Sequence, residues 1–152
     1  MSQPITVRVL NPDEAAVLDH VAPDVFDGPV DPRWTAEFFA DARHHLAVAL
    51  HGETVVGVVG AFRYVYPDKP PELFINEVAV SPGYRGRGLG RGMMNALTTH
   101  ARALGCVAAW VLTEAGNTAA RRLYAASGGL EESCQIFVIP LEQAGTGPLP
   151  TS

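Results

Sequence analysis

Ser81-Pro82-Gly83-Tyr84-Arg85-Gly86-Arg87-Gly88-Leu89-Gly90-Arg91 separates an apolar run from a helix-forming stretch, and its reading decides the fold. The run before it, Leu73, Phe74, Ile75, Val78, Ala79 and Val80, has strand composition and ends where Pro82 and Gly83 break it. The chain must then turn sharply. Gly86, Gly88 and Gly90 tolerate positive φ or a close backbone approach, and the helix that opens near Leu89 presents unpaired N–H groups and the positive end of its macrodipole. Arg85, Arg87 and Arg91 add guanidinium groups that bind phosphate oxygens in a planar, two-pronged way. The stretch reads as a cradle for a pyrophosphate.

Two familiar nucleotide loops do not fit it. In a Walker loop Gly-Lys-Ser/Thr follows four residues after a first glycine, whereas the frame from Gly83 to Gly88 continues with Leu89, so neither lysine nor hydroxyl is in place. A dinucleotide fingerprint starting at Gly86 needs glycine where Arg91 stands, and the strand follows a long antiparallel-looking β region instead of opening a βαβ unit.

The spacing Arg85-x-x-Gly88-x-Gly90 continues into further ordered signals. Gly105 caps the helix, Val107 to Thr113 reads as a strand, Glu114-Ala115-Gly116-Asn117 as a loop, and Thr118 to Ser127 as a helix ending in Gly128-Gly129. This last helix carries Asn117-x-x-Ala120-x-x-Leu123-Tyr124. From Glu72 to Gly129 the pattern resembles the acetyl-coenzyme A loop and following strand–helix of the GNAT acetyltransferase superfamily. The blocks Tyr64-Val65-Tyr66-Pro67, Pro71 to Val80 and Glu131 to Phe137 are most similar to the small type I aminoglycoside 3-N-acetyltransferases, with Glu77 where those enzymes carry a carboxylate. One departure concerns the acceptor side: those enzymes place acidic residues in the loop after the next strand, and here Glu114 is followed by Gly116-Asn117.

The resemblance implies an α/β (α+β) GNAT fold, acetyl-coenzyme A as cofactor, and a set of site residues. Cofactor contacts fall on Val78, Ala79, Val80, Arg85, Gly86, Arg87, Gly88, Leu89, Gly90, Arg91, Asn117 and Ala120, with backbone N–H groups near Val78 to Val80 facing the thioester carbonyl. Glu77 is the candidate base, directly or through water, or else a carboxylate that neutralises a bound cation. A carboxylate in a cleft has its pKa raised by desolvation, and general-base help contributes about 10² to 10⁴ in rate. Tyr124 is the candidate acid for the leaving thiolate, or an aromatic packed beside Leu123. Asn117 holds the cofactor or caps its helix. Asp24, Asp27, Asp31, Trp34, Glu77 and Glu114 are candidates for gripping the acceptor; the aspartates are equally turn formers or N-caps, and Trp34 shares helical spacing with Phe38 and Phe39.

Whole-chain properties bound these readings. The 152 residues, 47% hydrophobic, suit one domain with a core, expected over residues 1–142, with a flexible Gly/Pro/Thr/Ser-rich tail at 143–152. No apolar run approaches the roughly 18 to 20 residues of a membrane span, and the N-terminus lacks signal-peptide character, so a cytoplasmic protein away from membranes is expected. Cys106 and Cys134 lack metal or disulfide spacing and read as small core residues; the histidines show no ligand spacing, and no metal is expected. The net charge of −5 argues against nucleic acid. Its distribution is uneven: from Ser81 to Trp110 there are arginines at 85, 87, 91 and 102 and no carboxylate, so this segment is +4 and the remainder −9. That division suits an anionic cofactor and a polycationic acceptor.

The rest of the chain reads as a strand at Ile5 to Leu10, a helix capped by Asn11-Pro12-Asp13-Glu14, a loop from Asp24 to Asp31, and a second helix capped by Asp31-Pro32. Strands at Leu46 to Leu50 and Thr54 to Tyr66 flank a turn at His51-Gly52-Glu53, and Cys134 to Leu141 reads as a closing strand. The expected order is β-α-α-β-β-β-α-β-α-β with a mixed sheet. Two enzymatic readings follow, an acetyl-coenzyme A-dependent aminoglycoside N-acetyltransferase of the 3-N type and a GNAT enzyme for another small amine, amino acid or protein N-terminus. A non-enzymatic reading is an acetyl-coenzyme A sensor. The resemblance also allows a homodimer.

Overall fold

A computed structural model describes residues 3–142. Five strands form one sheet in the order β1 (Ile5–Val9), β2 (His44–His51), β3 (Thr54–Tyr66), β4 (Lys69–Val80), β5 (Ala109–Val111). The first four are antiparallel neighbours, and β5 joins β4 in parallel. Three α-helices accompany them: α1 (Pro32–Ala40), α2 (Leu89–Ala103) and α3 (Thr118–Ala126). The mixed sheet and its crossover helix are the architecture expected from the strand–loop–helix pattern.

Local chemistry explains the element boundaries. Asp31 caps α1 by accepting from the Arg33 N–H at 2.8 Å, with Pro32 in the first turn, and Asn117 caps α3 by accepting from the Ala120 N–H at 3.0 Å. Gly52, at φ 62°, makes the tight turn between β2 and β3.

Each face of the sheet has its own core. On one, Ala47, Ala49, Leu73 and Ile75 pack under Leu89, Met93, Leu97 and Ala101 of α2. On the other, Leu46, Val48, Val55 and Val58 pack against Leu18, Val25 and the flank of α1 at Phe38 and Phe39. His44 stacks on Phe38 while its neighbour His45 meets His100 of α2, so the two histidines face opposite sides of the sheet.

Three expectations change. The helix after Asn11 is only a 3-10 turn, Ala15–Asp19, because the chain then runs flat against β3: Val21 bridges Val55, and the Ala22 N–H donates to the Val55 carbonyl at 2.8 Å. Tertiary pairing overrides helix propensity there. The strand around Trp110 spans three residues, fewer than its composition extends. The closing strand does not form: Leu130 to Glu142 carry no helix or strand, and Cys134 is exposed rather than a core residue. A strand-forming sequence needs a partner edge, and none is paired to it among the described residues. The expected tail at 143–152 lies outside the described residues.

Candidate active site

A cleft of about 930 Å³ opens where β4 and β5 part. β5 pairs with β4 only from Leu73 to Ile75, so from Asn76 to Val80 the β5-facing edge of β4 has no strand partner. Backbone amides along such an edge are available to a ligand.

A β-bulge sets what the rest of β4 presents. Glu77 pairs with Gly60 and Ile75 with Ala61, which leaves Asn76 as an extra residue without a counterpart. Before the bulge, Leu73 and Ile75 point into the core under α2. After it, Val78 and Val80 take that face and Ala79 turns to the other. Strict alternation would have sent Glu77 the way of Leu73 and Ile75, a carboxylate in the apolar core. The extra residue turns it instead toward the opposite face, where Gly60 has no side chain to obstruct it and a Cβ placed there would lie 3.6 Å from that of Glu77.

On that face waits the loop after the 3-10 turn. It is pinned by the Val55 pairing, by Val25, which is 2% exposed, and by the buried Ser81 hydroxyl at the end of β4, which donates to the Pro23 carbonyl at 2.9 Å. Asp24 is held at φ 63°, a left-handed conformation that aspartate tolerates better than most residues. Asp24 and Asp27 line both the main cleft and an adjoining hollow of about 820 Å³. Burial pushes the Glu77 carboxyl above the usual range, and the negative charge of Asp27 pushes it further the same way.

The opposite wall belongs to the glycine–arginine loop and α3. Gly86 and Gly88 both have φ 76°, and no protein atom lies within 4 Å of where a Cβ would stand at either. The first hydrogen bond of α2 runs from the Gly92 N–H to the Gly88 carbonyl at 3.0 Å, so the N–H groups of Leu89, Gly90 and Arg91 precede the ladder. Arg85 braces the loop by donating to the Val80 carbonyl at 3.1 Å. Gly90 packs beneath Leu123 of α3, 3.1 Å from its would-be Cβ, which brings α3 close to the loop. Tyr124, next along α3, reaches the cleft, and burial holds its hydroxyl pKa above the ordinary value.

Most of the residues singled out in the sequence therefore share one cleft: Glu77, Tyr124, Val78, Ala79, Val80, Arg85, Gly86, Gly88, Leu89, Gly90, Arg91, Asn117 and Ala120. Arg87 is not on its wall; it donates to the Gly83 carbonyl at 3.3 Å and lies over the Tyr84 ring, whose hydroxyl meets His51 Nδ1 at 2.6 Å. Asp31 is the α1 cap and pairs with Arg33; Trp34 is 63% exposed with Arg33 over its ring; Glu114 is exposed and away from the cleft wall. Sequence reading passed over Val25, Asn76 and Thr113, which the cleft includes. No local signal marks them, because their positions depend on the loop's docking and the bulge. Among the described residues no cluster of histidine, cysteine or carboxylate groups could hold a metal, and no helix is long and apolar enough to cross a membrane.

An open-edged strand, a glycine cradle at a helix N-terminus and a cleft between two parting parallel strands suit an extended ligand that carries phosphate. The chain belongs to the Acetyltransferase (GNAT) family, whose model matches residues 15–128. It is 31% identical over 162 residues to a mycothiol acetyltransferase of Thermobifida fusca (strain YX), a match covering all of this chain and 47% of that protein. The chain thus spans about half the length of that relative. Over 129 residues it is 31% identical to the N-alpha-acetyltransferase RimI of Mycobacterium tuberculosis, covering 84% of this chain and 79% of that one. Its fold matches the aminoglycoside N-acetyltransferase AAC(6')-Iy in complex with CoA, with a TM-score of 0.74 at 20% identity over 93% of this chain and 97% of that one. An aminoglycoside acetyltransferase from an uncultured soil metagenomic sample, in complex with sisomicin, gives 0.75 at 17%, covering 91% and 97%.

Acetyl-coenzyme A is the cofactor of this family, and the residues present fit it. The empty space over Gly86 and Gly88, the leading N–H groups of α2 and Arg91 suit its pyrophosphate, while the unpaired β4 edge suits its extended amide-bearing arm.

Proposed function

We propose that the protein acetylates an amine of a polycationic amino sugar of the aminoglycoside class, with the central-ring 3-N position favoured by the resemblance of the Pro71–Val80 block. The observation that carries the reading is the convergence of Glu77, Asp24 and Asp27 on one side of the cleft, opposite the cradle and Tyr124. A cationic acceptor gains from each of those carboxylates, and the basic loop is reserved for the phosphates.

When bound, acetyl-coenzyme A supplies an activated thioester carbonyl. The Glu77 carboxylate takes a proton from the acceptor ammonium, directly or through one water, since its raised pKa brings it closer to that of the amine than an exposed glutamate would be. Backbone N–H groups along Val78 to Val80 provide hydrogen bonds for a carbonyl oxygen as negative charge gathers on it. Tyr124 keeps its hydroxyl proton at neutral pH because burial disfavours the phenolate, and that proton is available to a departing thiolate.

The sequence relatives support a second reading, in which the acceptor is a smaller amine or a peptide N-terminus. A steady-state assay of thiol release separates the two, using gentamicin, a monoamine of similar size and an alanine-terminated peptide at two salt concentrations. The first reading expects gentamicin turnover with a KM that rises with ionic strength, as screening weakens its several charge pairs. Turnover of the peptide or monoamine with none of any aminoglycoside selects the second.

A further inference from the structure

Between the buried Ser81 and the buried Leu89, every residue of the glycine–arginine loop is exposed except Tyr84, which is half-buried against the core under α2. Most hydrogen bonds of the loop are short in sequence. The Tyr84 N–H donates to the Ser81 carbonyl at 2.9 Å, Arg85 donates to the Pro82 and Val80 carbonyls, and Arg87 to the Gly83 carbonyl, none reaching beyond five residues. Such bonds give a turn its shape and leave its attitude to the sheet open. From Pro82 to Gly88, one hydrogen bond among the described residues reaches a distant element: the Tyr84 hydroxyl lies 2.6 Å from His51 Nδ1, 33 residues away. His51 closes β2, where it is paired with Ile5 of β1 and with Thr54 of β3, so its backbone is held on both sides. Its ring meets the Tyr84 ring edge-on, with centroids 5.4 Å apart, and the Arg87 guanidinium lies 5.1 Å from the centre of the same tyrosine ring. A hydroxyl both donates and accepts, so it matches the imidazole in either tautomer.

We propose that His51 is a positioning residue for acetyl-coenzyme A, acting through Tyr84 to hold the glycine–arginine loop in the conformation that receives the phosphates. The loop needs such a hold. Gly86 and Gly88 have φ 76° with no protein atom within 4 Å of a would-be Cβ, so neither backbone preference nor packing keeps them where they are. The ends are fixed, at Ser81 by bonds to the Val56 and Pro23 carbonyls and at Gly90 by Leu123, and Tyr84 is what ties the stretch between them to the sheet. A site that holds its binding conformation for only a fraction of the time loses affinity by that fraction. Tyr84 belongs to the cleft wall and His51 does not, so His51 reaches the ligand through Tyr84 and by no contact of its own. Losing one hydrogen bond of this kind should weaken cofactor binding roughly 3- to 10-fold. Glu77 and Tyr124 stand on β4 and α3, outside the loop, so the effect falls on cofactor affinity and leaves the groups that move protons in place.

The test is calorimetric titration of the full chain with acetyl-coenzyme A, together with amide hydrogen exchange of the cofactor-free protein, on the parent, His51→Leu, Tyr84→Phe, the double variant and His51→Asn. His51→Leu and Tyr84→Phe are each expected to raise Kd roughly 3- to 10-fold and to speed exchange across the loop from Arg85 to Gly88. The double variant should bind about as well as the weaker single one, since both substitutions remove the same bond. His51→Asn keeps a hydrogen-bonding group near the place of Nδ1 and should bind within about twofold of the parent. Binding by His51→Leu as tight as that of the parent overturns the proposal. So does a double variant whose loss is the product of the two single losses, because the residues then act independently, and so does His51→Asn binding as poorly as His51→Leu. If His51→Leu does not fold, Tyr84→Phe decides: it removes one oxygen and keeps the ring, and unchanged loop exchange in it refutes the hold. None of these readouts depends on which amine is acetylated.

Discussion

Gly88→Ala separates the conformational role of the cradle from its binding role. Gly88 sits at φ 76° and ψ 12° as the N-cap of α2. A residue with a Cβ is disfavoured there by roughly 1–2 kcal/mol, of which about 0.4–1 is returned by the lower entropy of the unfolded chain. No neighbouring atom lies within 4 Å of the new methyl, so packing adds nothing. The net loss of stability is then about 1 kcal/mol, which in a chain of this size lowers Tm by roughly 2–4 °C. Binding suffers more. The methyl would occupy cleft space at the helix N-terminus, and displacing a phosphate from one charge-assisted hydrogen bond costs about 1.5–3 kcal/mol, or roughly 10- to 150-fold in Kd. Calorimetric titration with acetyl-coenzyme A and a melting curve on the same sample read the two effects separately. Gly83→Ala is the control, since Gly83 has no positive φ, open space around it and no place on the cleft wall. If Gly88→Ala melts a few degrees lower yet binds acetyl-coenzyme A within threefold of the parent, the phosphates do not approach this residue and the reasoning fails.

Tyr124→Phe should lower kcat about 100-fold with little change in the cofactor KM, because a proton donor to a leaving group acts in the transition state; an unchanged kcat with chemistry rate-limiting would reduce Tyr124 to packing. For Glu77, activity falls as pH drops through its raised pKa, since only the carboxylate accepts a proton. Asp27→Asn removes the like charge and should move this acidic limb of kcat/KM to lower pH, whereas Glu77→Gln should abolish it; a limb that stays put in Asp27→Asn would sever the coupling between the two carboxylates. His45 is pulled down to about 4, chiefly by burial and next by His100. Its pKa is depressed in the fold, so the associated stability is complete above the ordinary value of 6.5 and is lost as pH falls toward 4. His45→Gln should therefore flatten the decline of Tm across that interval, and parallel declines in parent and variant would contradict it.

What the sequence disclosed and what it concealed divide along a physical line. Caps and glycine turns act over a few residues, so Asp31-Pro32, Gly52, Gly105 and Asn117 mark real boundaries, and the loop from Arg85 to Arg91 lies where its spacing places it. Features settled between distant segments were hidden. The 3-10 turn at Ala15–Asp19 replaces a helix because Val21 and Ala22 are claimed by Val55. Asp24 and Asp27 reach the cleft while Asp31 does not, and the three look alike in sequence; the difference is that Val25 and Ser81 pin the first part of the loop to the sheet. Arg87 resembles its neighbours in charge, yet its guanidinium is taken up by Gly83 and Tyr84.

Asn76 makes β4 a strand whose meaning depends on counting. Upstream of it, odd-numbered positions belong to the core under α2; downstream, even-numbered positions do. The side on which the carboxylate appears is therefore encoded by the parity of a single insertion and not by the identity of any residue nearby. A lineage that gained or lost one residue at this place would exchange a reactive group for a buried defect, or the reverse, while every amino acid around it stayed the same.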